Sequence, residues 1–517
     1  MKKKYISFML SALLLGGLTT SCNDWLDVEQ NTEKKADEMF DTEDGFRGAL
    51  AGCYSAMCST DMYGTRLTMS NVDALAALWY MNTDAQPNLD ARILDNYYFR
   101  KHDYSNSSAE TSIRTIYSKL YNAILSTNMI IKAFNEGKGI NIIDEQERAV
   151  IEGEAYGLRA FLHLDVLRLF GQVPEGTIPV NLAYSEVTSI EDPLPFYSFD
   201  EYVEKLKADF IKAESLLKDN DVVFHYDYSL DQYSHMGEDT PEYKNVTVEN
   251  DFLAYRQYRM NYWAVRAAEA RMHLYLGETE EAYKVAMDVI RNAVTPNGTP
   301  LAPLSSDKDY GQSGIRDYAS PTESLFSLYF DNLHDISVPL LVGSPTHEGS
   351  DQDDKLSVTT QSNLFLTESL LTSLFAGCDG QDIRSRFMWG KTSTSQGIVY
   401  PTISKYWVDE AGIIPLIRMS EMYLIAIETA GTLAESNTLY TEYIASKGVA
   451  RHDYFTSKQQ LVTELANEYR REFYAEGQMF YYYKRTKATT MWSNGGQILG
   501  ENDYILPLPN TESNNLK

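Results

Sequence analysis

Residues able to do chemistry fall into a few polar, aromatic-bearing stretches. Trp79, Tyr80 and Asn82 stand together after a short apolar run, and Tyr97 and Tyr98 follow in an Asn/Asp-rich stretch. Tyr310 and Tyr318 lie in a Gly/Ser/Asp segment. An aromatic ring beside amides and carboxylates offers a flat apolar face with hydrogen-bonding neighbours, the chemistry that holds a sugar or a peptide without altering it. These seven residues are the candidate ligand contacts. Tyrosine dominates the aromatic content, 37 Tyr against 20 Phe and 6 Trp. The competing expectation for each ring is ordinary packing between helices, and Trp263 and Trp407, set in regular segments, are read that way.

Signals of catalysis are poor. The chain has no HExxH, no GxSxG and no phosphate-binding loop. His347-Glu348 lacks a second histidine at helical spacing, and Asp351, Asp353 and Asp354 lack the glycine and distal glutamate of a calcium loop. No catalytic residue, metal or cofactor is therefore expected. The formal charge of −28 repels nucleic acid and anionic lipid, so nucleic-acid binding is not expected either.

The first residues read as an export signal. Lys2, Lys3 and Lys4 precede a short apolar run from Tyr5 to Leu18, followed by Thr19, Thr20, Ser21 and Cys22. A small residue before a cysteine at that place resembles the cleavage box of bacterial lipoproteins. Residues 1–21 are then a signal peptide, Cys22 is the lipidated first residue, and 22–40 is a tether. The usual box places its leucine one position later than Leu18. Membrane attachment is expected through the lipid alone, and Asp24, Asp27 and Glu29 resemble the acidic tract that sends some lipoproteins to the outer surface. Cys53, Cys58 and Cys378 offer no complete disulfide framework and no CxxC spacing, so free thiols are expected.

The elements that must position these residues are mostly helical. Helical periodicity covers Asp41 to Met57, with Asp41 or Thr42 as cap, and Ser112 to Asn135. The run from Glu152 to Pro174 is apolar on most of its surface, so it is expected to be buried on several sides. A loop around Gly137 and Gly139 makes the second and third of these a helical hairpin. Further helices are expected at Phe199–Leu217, Arg259–Leu276, Thr279–Ala293, Ile414–Leu433 and Gln459–Arg485. Ala282, Ala286 and Ile290 recur at fours, the small-residue spacing of a tetratricopeptide hairpin. Loop-rich insertions are expected near 60–110, 219–256 and 294–411, with short strands at Ser324–Phe330 and Ile398–Trp407.

Several segments together resemble the SusD/RagB family of Bacteroidetes outer-membrane nutrient-uptake lipoproteins. These are DWLDVEQNT, IYSKLYNAILSTNMII with Tyr121, Ile124 and Asn128, and GEAYGLRAFLHLDVLRLFGQVP with Glu154, Arg159, Ala160, Phe170, Gly171 and Pro174. The central hairpin, IPLIRMSEMYLIAIETA with Arg418 and Glu421, and YILPLPNTE extend the likeness over nearly the whole chain. In RREFYAEGQMFYYYKR, Gln478 stands where the family usually has Arg, and Tyr482-Tyr483 where it has Asp-Leu. The resemblance implies a mostly α, SusD-like single domain over 41–517. About four tetratricopeptide-like hairpins would support a loop-rich ligand-binding half. It also implies non-catalytic capture of glycans at the cell surface and delivery to a SusC-like TonB-dependent barrel. The alternatives are a helical surface glycoside hydrolase and a SusD-like protein that binds peptides. Because family sites sit on variable loops, no binding residue transfers by motif.

Overall fold

A computed structural model describes residues 38–81, 89–225, 230, 250–310, 319, 321–345, 356–357, 363–378, 380–394, 397–406, 412–450 and 455–509. Cys22, Asn82, Tyr318, Trp407 and the Asp351–Asp354 run lie outside them.

Helix α1 (Glu43–Met57) begins where Thr42 Oγ1 accepts the Gly45 N–H at 3.1 Å, as the cap signal requires. The short helices α2 (Asn71–Leu75) and α3 (Ala91–Arg100) follow. The long helices α4 (Ser107–Asn135) and α5 (Glu145–Phe170) form the expected hairpin, turned by Gly137 and Gly139 at φ +79° and +86°. Helix α5 is buried along almost all of its last twenty or so residues, charged ones included. Its Gly153 and Gly157 let neighbours come close: an added Cβ would stand 2.8 Å from Leu217 and 2.7 Å from Met260.

Leu217 closes α6 (Phe199–Leu217), opened by a capping box between Ser198 and Glu201. A second hairpin, α7 (Tyr262–Leu276) and α8 (Thr279–Asn292), turns at Gly277 with φ +78°. Packing then runs α4 on α5, α5 on α6, α6 on α7 and α7 on α8. It continues from α8 onto α12 (Met419–Thr429), which meets α13 (Leu433–Ser446) and α14 (Lys458–Glu472). Helix α15 (Met479–Arg485) closes the scaffold.

The motif residues do structural work in this scaffold. Tyr121 donates to Ala183 O at 2.7 Å, and Asn128 Nδ2 donates to Ser185 O and Val187 O at 3.0 and 2.9 Å. Arg159 meets Asp209 with two bonds of 2.6 Å and donates to Asn128 Oδ1 at 3.0 Å. Together they hold the segment after α5, which pairs β1 (Leu182–Ala183) with β2 (Phe196–Tyr197), against the α4–α5 hairpin.

The irregular half contains α9 (Leu333–Leu341), α10 (Glu368–Leu374), α11 (Ile383–Phe387) and two small sheets. In one sheet β3 (Ser324–Phe330) pairs antiparallel with β8 (Gly412–Arg418), Tyr329 opposite Ile413. The other has order β4 (Ser344–Pro345), β5 (Leu356–Ser357), β6 (Trp389–Ser393) and β7 (Val399–Ile403). The strand expected at Ile398–Trp407 is β7, and it ends at Ile403 within the described residues.

Two helical expectations are corrected. Residues 414–418 are the end of β8, and the helix starts at Met419. Pro415 and the branched Ile413, Ile414 and Ile417 suit a strand with a partner in β3 better than a helix interior. The run Gln459–Arg485 is two helices, broken at 473–478 with Ala475 and Gly477 at φ +64° and +69°. Buried Asp73 accepts the N–H of Ala475 at 2.6 Å and of Gly477 at 3.0 Å, bonds that a continuous helix could not offer.

Carboxylates and cations fill the junction between the two halves. Arg418, at the end of β8, donates to Glu472 Oε1 (2.6 Å), Glu323 Oε2 (3.0 Å) and Glu476 Oε1 (2.8 Å). Arg384 joins Asp382, Glu468 and Glu472, Lys447 meets Glu323 at 2.7 Å, and Lys405 meets Glu476. All are buried.

Candidate functional site

The candidate contacts do not converge on one site. Trp79 is 0% exposed; its indole donates to Met69 O at 2.9 Å, and its ring stands edge-on to Tyr474 at 5.0 Å. A ring with no exposed face is no stacking platform, so the expectation for Trp79 is corrected: it is core. Tyr80 is half-buried, its ring 5.8 Å from Phe365, which in turn lies 4.4 Å from Tyr400. Tyr97 and Tyr98 belong to α3 and not to a loop; Tyr97 is buried, edge-on to Tyr98 at 5.3 Å, with the Lys101 ammonium 4.3 Å from its ring centre. Tyr310 is buried against Phe387, rings parallel within 8° at 5.7 Å, in a small cluster with Ile383 and Met388.

A large cleft lies elsewhere. About 1100 Å³ opens between the C-terminal half of α1, residues 252–259 and the end of β3. Tyr329 and Tyr255 stand on its surface, 48% and 37% exposed. Between them, Tyr258 lies 6.2 Å from Tyr255 with the rings parallel within 12°, and 5.7 Å from Tyr329 at 43°. The three rings form one continuous wall. Asp331 and Asn332 continue the wall past the end of β3, and Arg259, Phe252 and Tyr54 line the interior.

Tyr329 is exposed because it points opposite to its buried neighbours Leu328 and Phe330, the alternation of a strand. Tyr255 is displayed by a backbone at φ +55°, a conformation costly for a bulky residue, which the surrounding bonds hold in place. Asn261 Nδ2 donates to Arg256 O at 2.9 Å and to Leu325 O at 2.8 Å, tying the turn at 256–258 to β3. Arg256 is fully buried and bonds both Asp221 oxygens, at 2.9 and 2.7 Å, and Glu154 of α5. The stretch expected as a loose polar insertion is thus, at 250–258, anchored in the core.

The floor beneath the rings is an electrostatic knot. Glu154 accepts from the Tyr54 hydroxyl and from Arg256, and Arg259 Nε reaches it at 3.1 Å. Burial pushes the Glu154 carboxyl up, but Arg256 and Arg259 more than reverse this, so it sits below its ordinary range. Burial, then the Glu154 charge, pushes the Tyr54 hydroxyl well up, leaving it a permanent donor. At the mouth, burial and the Asp331 charge raise the Cys58 thiol to about 11, so it stays protonated. Arg47 pairs with Glu147 through two bonds of 2.6 Å and lies 5.0 Å from the Phe252 ring centre. Among the described residues no group of three His, Cys, Asp or Glu is placed to hold a metal ion.

Tyr255, Tyr258 and Tyr329 were missed by sequence reasoning. Tyr255 and Tyr258 stand beside arginines in FLAYRQYRMNYW, where charge masks the surface role of the rings. For Tyr329 the strand alternation was the available signal. Nothing local says that residues more than seventy positions apart share a wall.

Comparisons with known proteins agree with this architecture. Residues 24–229 match the family model SusD-like, described as starch-binding associating with outer membrane. A SusD-like protein of Formosa agariphila is 26% identical over 285 residues, 54% of this chain and 45% of that relative, so the match spans less than half of the relative's length. A SusD superfamily structure from Bacteroides thetaiotaomicron superposes with a TM-score of 0.63 at 20% identity, covering 92% of this chain and 98% of its own. Surface glycan-binding protein A from Bacteroides uniformis gives 0.62 at 15% identity, over 92% and 98%. A laminarin binding SusD-like protein gives 0.56 at 14%, over 92% and 97%. The family model thus matches residues 24–229, and the chain as a whole, mostly helical, has the fold of these solved structures.

Proposed function

We propose that this protein captures glycans at the bacterial cell surface and passes them unaltered to a SusC-like TonB-dependent barrel. The observation that carries the reading is the Tyr255–Tyr258–Tyr329 wall, flanked by Asp331 and Asn332 in a cleft large enough for an oligosaccharide. Aromatic faces stack on the apolar faces of sugar rings while carboxylate and amide groups take the hydroxyls. Relatives described as laminarin binding and surface glycan-binding support the ligand class. Tyr80 and Tyr98, both half-buried, are further contacts in this reading, and Asn82 and Tyr318, outside the described residues, stay candidates from the sequence.

The protein is held to the outer membrane, facing the exterior, by lipid on Cys22. No described helix is long and apolar enough to cross a membrane. The non-catalytic reading is favoured over hydrolysis by the cleft's carboxylates. Asp331 is the acid among the lining residues, while nearby Glu154 is fully buried and committed to two arginines. A glycosidase needs two carboxyl groups flanking the scissile bond.

The test is calorimetry with a glycan and peptide panel on the chain lacking residues 1–22. At least one glycan is expected to bind, and Tyr255→Ala with Tyr329→Ala to weaken it by about tenfold or more. Unchanged affinity would remove the cleft from the reading, and peptide-only binding would replace its ligand class. Release of shortened sugars on incubation with polysaccharide would sink the non-catalytic reading. Co-purification with a SusC-like barrel tests delivery.

A further inference from the structure

We propose that the cleft selects uncharged or amino-bearing glycans against sulfated and uronate ones, and that Asp331 sets the preference. This deepens the glycan reading above and rests on it.

The argument is a charge inventory of the cleft. Its charged lining residues are Arg259 and Asp331. Arg259 is already committed: Nε lies 3.1 Å and Nη2 2.8 Å from the Glu154 oxygens, Nη1 donates to Phe252 O, and its guanidinium carbon sits 4.3 Å from the Phe252 ring centre. Its side chain is 12% exposed. Beneath it, Arg256 pairs with Glu154 and Asp221, so two arginines face two carboxylates and the knot as a whole is neutral. Arg47, the next cation along, is divided between Glu147 and Glu43. Each guanidinium near the rings thus already faces a carboxylate of its own, and an incoming sulfate or carboxylate would have to compete with that partner.

Asp331 is different. It is exposed, two residues beyond Tyr329 on the same wall, and close enough to Cys58 to raise that thiol. A sugar stacked on Tyr329 presents its substituents to this carboxylate. Two like charges about 5 Å apart in a solvent-exposed cleft repel enough to lower affinity by several-fold to roughly tenfold at low salt. The overall formal charge of −28 adds a long-range field of the same sign. A hydroxyl donates to the carboxylate at no such cost, and a protonated amine gains from it.

The experiment is calorimetry of the full chain in detergent against laminari- and xylo-oligosaccharides, chitosan oligomers, polygalacturonate, alginate and a sulfated galactan, at low and at high salt. The readout is the ratio of acidic to neutral or amino affinity. The tightest ligand is expected to be neutral or amino-bearing. Acidic glycans should be weaker by about tenfold or more at low salt, and Asp331→Asn should narrow that ratio. If an acidic glycan binds tightest and loses affinity on Tyr329→Ala, the selectivity falls while the glycan reading stands. An unchanged ratio in Asp331→Asn overturns the role of that residue. If no glycan binds at all, the parent reading fails and takes this inference with it.

Discussion

Glu154 of α5 and Arg256, 102 positions later, form an ion pair in which neither side chain has any exposed surface. The pair pins the turn carrying Tyr255 and Tyr258 to the central scaffold helix, with Asp221 as the second anchor. The most family-like helix of the chain therefore also sets the position of its aromatic wall.

Removing one partner strands the others. Arg256→Met leaves Glu154 and Asp221 with less compensation in the interior, and a loss of about 3–5 kcal/mol is expected in urea unfolding. Glycan affinity of the folded fraction should fall as well, because the turn at 256–258 loses its anchor. A stable variant with intact binding would show that Asn261 alone holds the turn.

Two glycines should respond in opposite directions to alanine. At Gly477, φ is +69° and an added Cβ would stand 2.1 Å from Leu67 O, so Gly477→Ala should cost upward of about 2 kcal/mol. Gly48 is exposed within α1 with nothing within 4 Å of such a Cβ. There Gly48→Ala should raise stability by about 0.5–1 kcal/mol. Paired denaturation curves decide both.

Acid should loosen the junction of the two halves. Burial pushes the Glu472 carboxyl up, but Lys447, Arg418 and Arg384 outweigh it and hold the group well below its ordinary value of 4.5. A depressed carboxylate contributes stability that is complete above the unfolded value and is lost as pH falls toward the folded one. Stability should therefore hold from pH 7 to about 5 and then drop, each proton taken up costing about 1.4 kcal/mol per pH unit. Urea midpoints at pH 7, 5 and 3.5 read the drop, and Glu472→Gln should flatten it from a lower starting stability.

Trp79→Ala separates packing from binding. The indole is enclosed and its N–H is satisfied, so truncation should cost about 3–5 kcal/mol. Glycan affinity at the cleft should stay as it was in the folded fraction. Loss of affinity with unchanged stability would return Trp79 to the ligand site.

The helices were legible because their signals are local. Thr42, Ser198, Gly137, Gly139 and Gly277 mark the ends that the structure has, and the apolar surface of α5 announced its burial. What failed was decided across the chain. The β8 strand exists because β3 is there to pair with it, and the break before α15 exists because Asp73 reaches Ala475 and Gly477. Glu154, Arg159 and Arg168 are all buried and bonded, to partners as far away as Arg256, Asp209 and Gln478, which no local pattern names. The candidate rings that the structure buries, Trp79, Tyr97 and Tyr310, were misjudged for a related reason. A tyrosine in a polar stretch gives no sign of whether its face meets water or another ring.

The buried charges at the junction also govern how the molecule comes apart. Arg418 leaves β8 to meet Glu472 of α14, Glu323 and Glu476, while Lys447, from the end of α13, meets Glu323 and Arg384 of α11 meets Glu468 and Glu472. An apolar interface can be peeled apart gradually, each step exposing a little more surface. Here no segment can detach without abandoning an opposite charge in a dry interior, so early steps are the costly ones. The irregular half is thus tied by buried charge to the helices and should melt with them in a single transition.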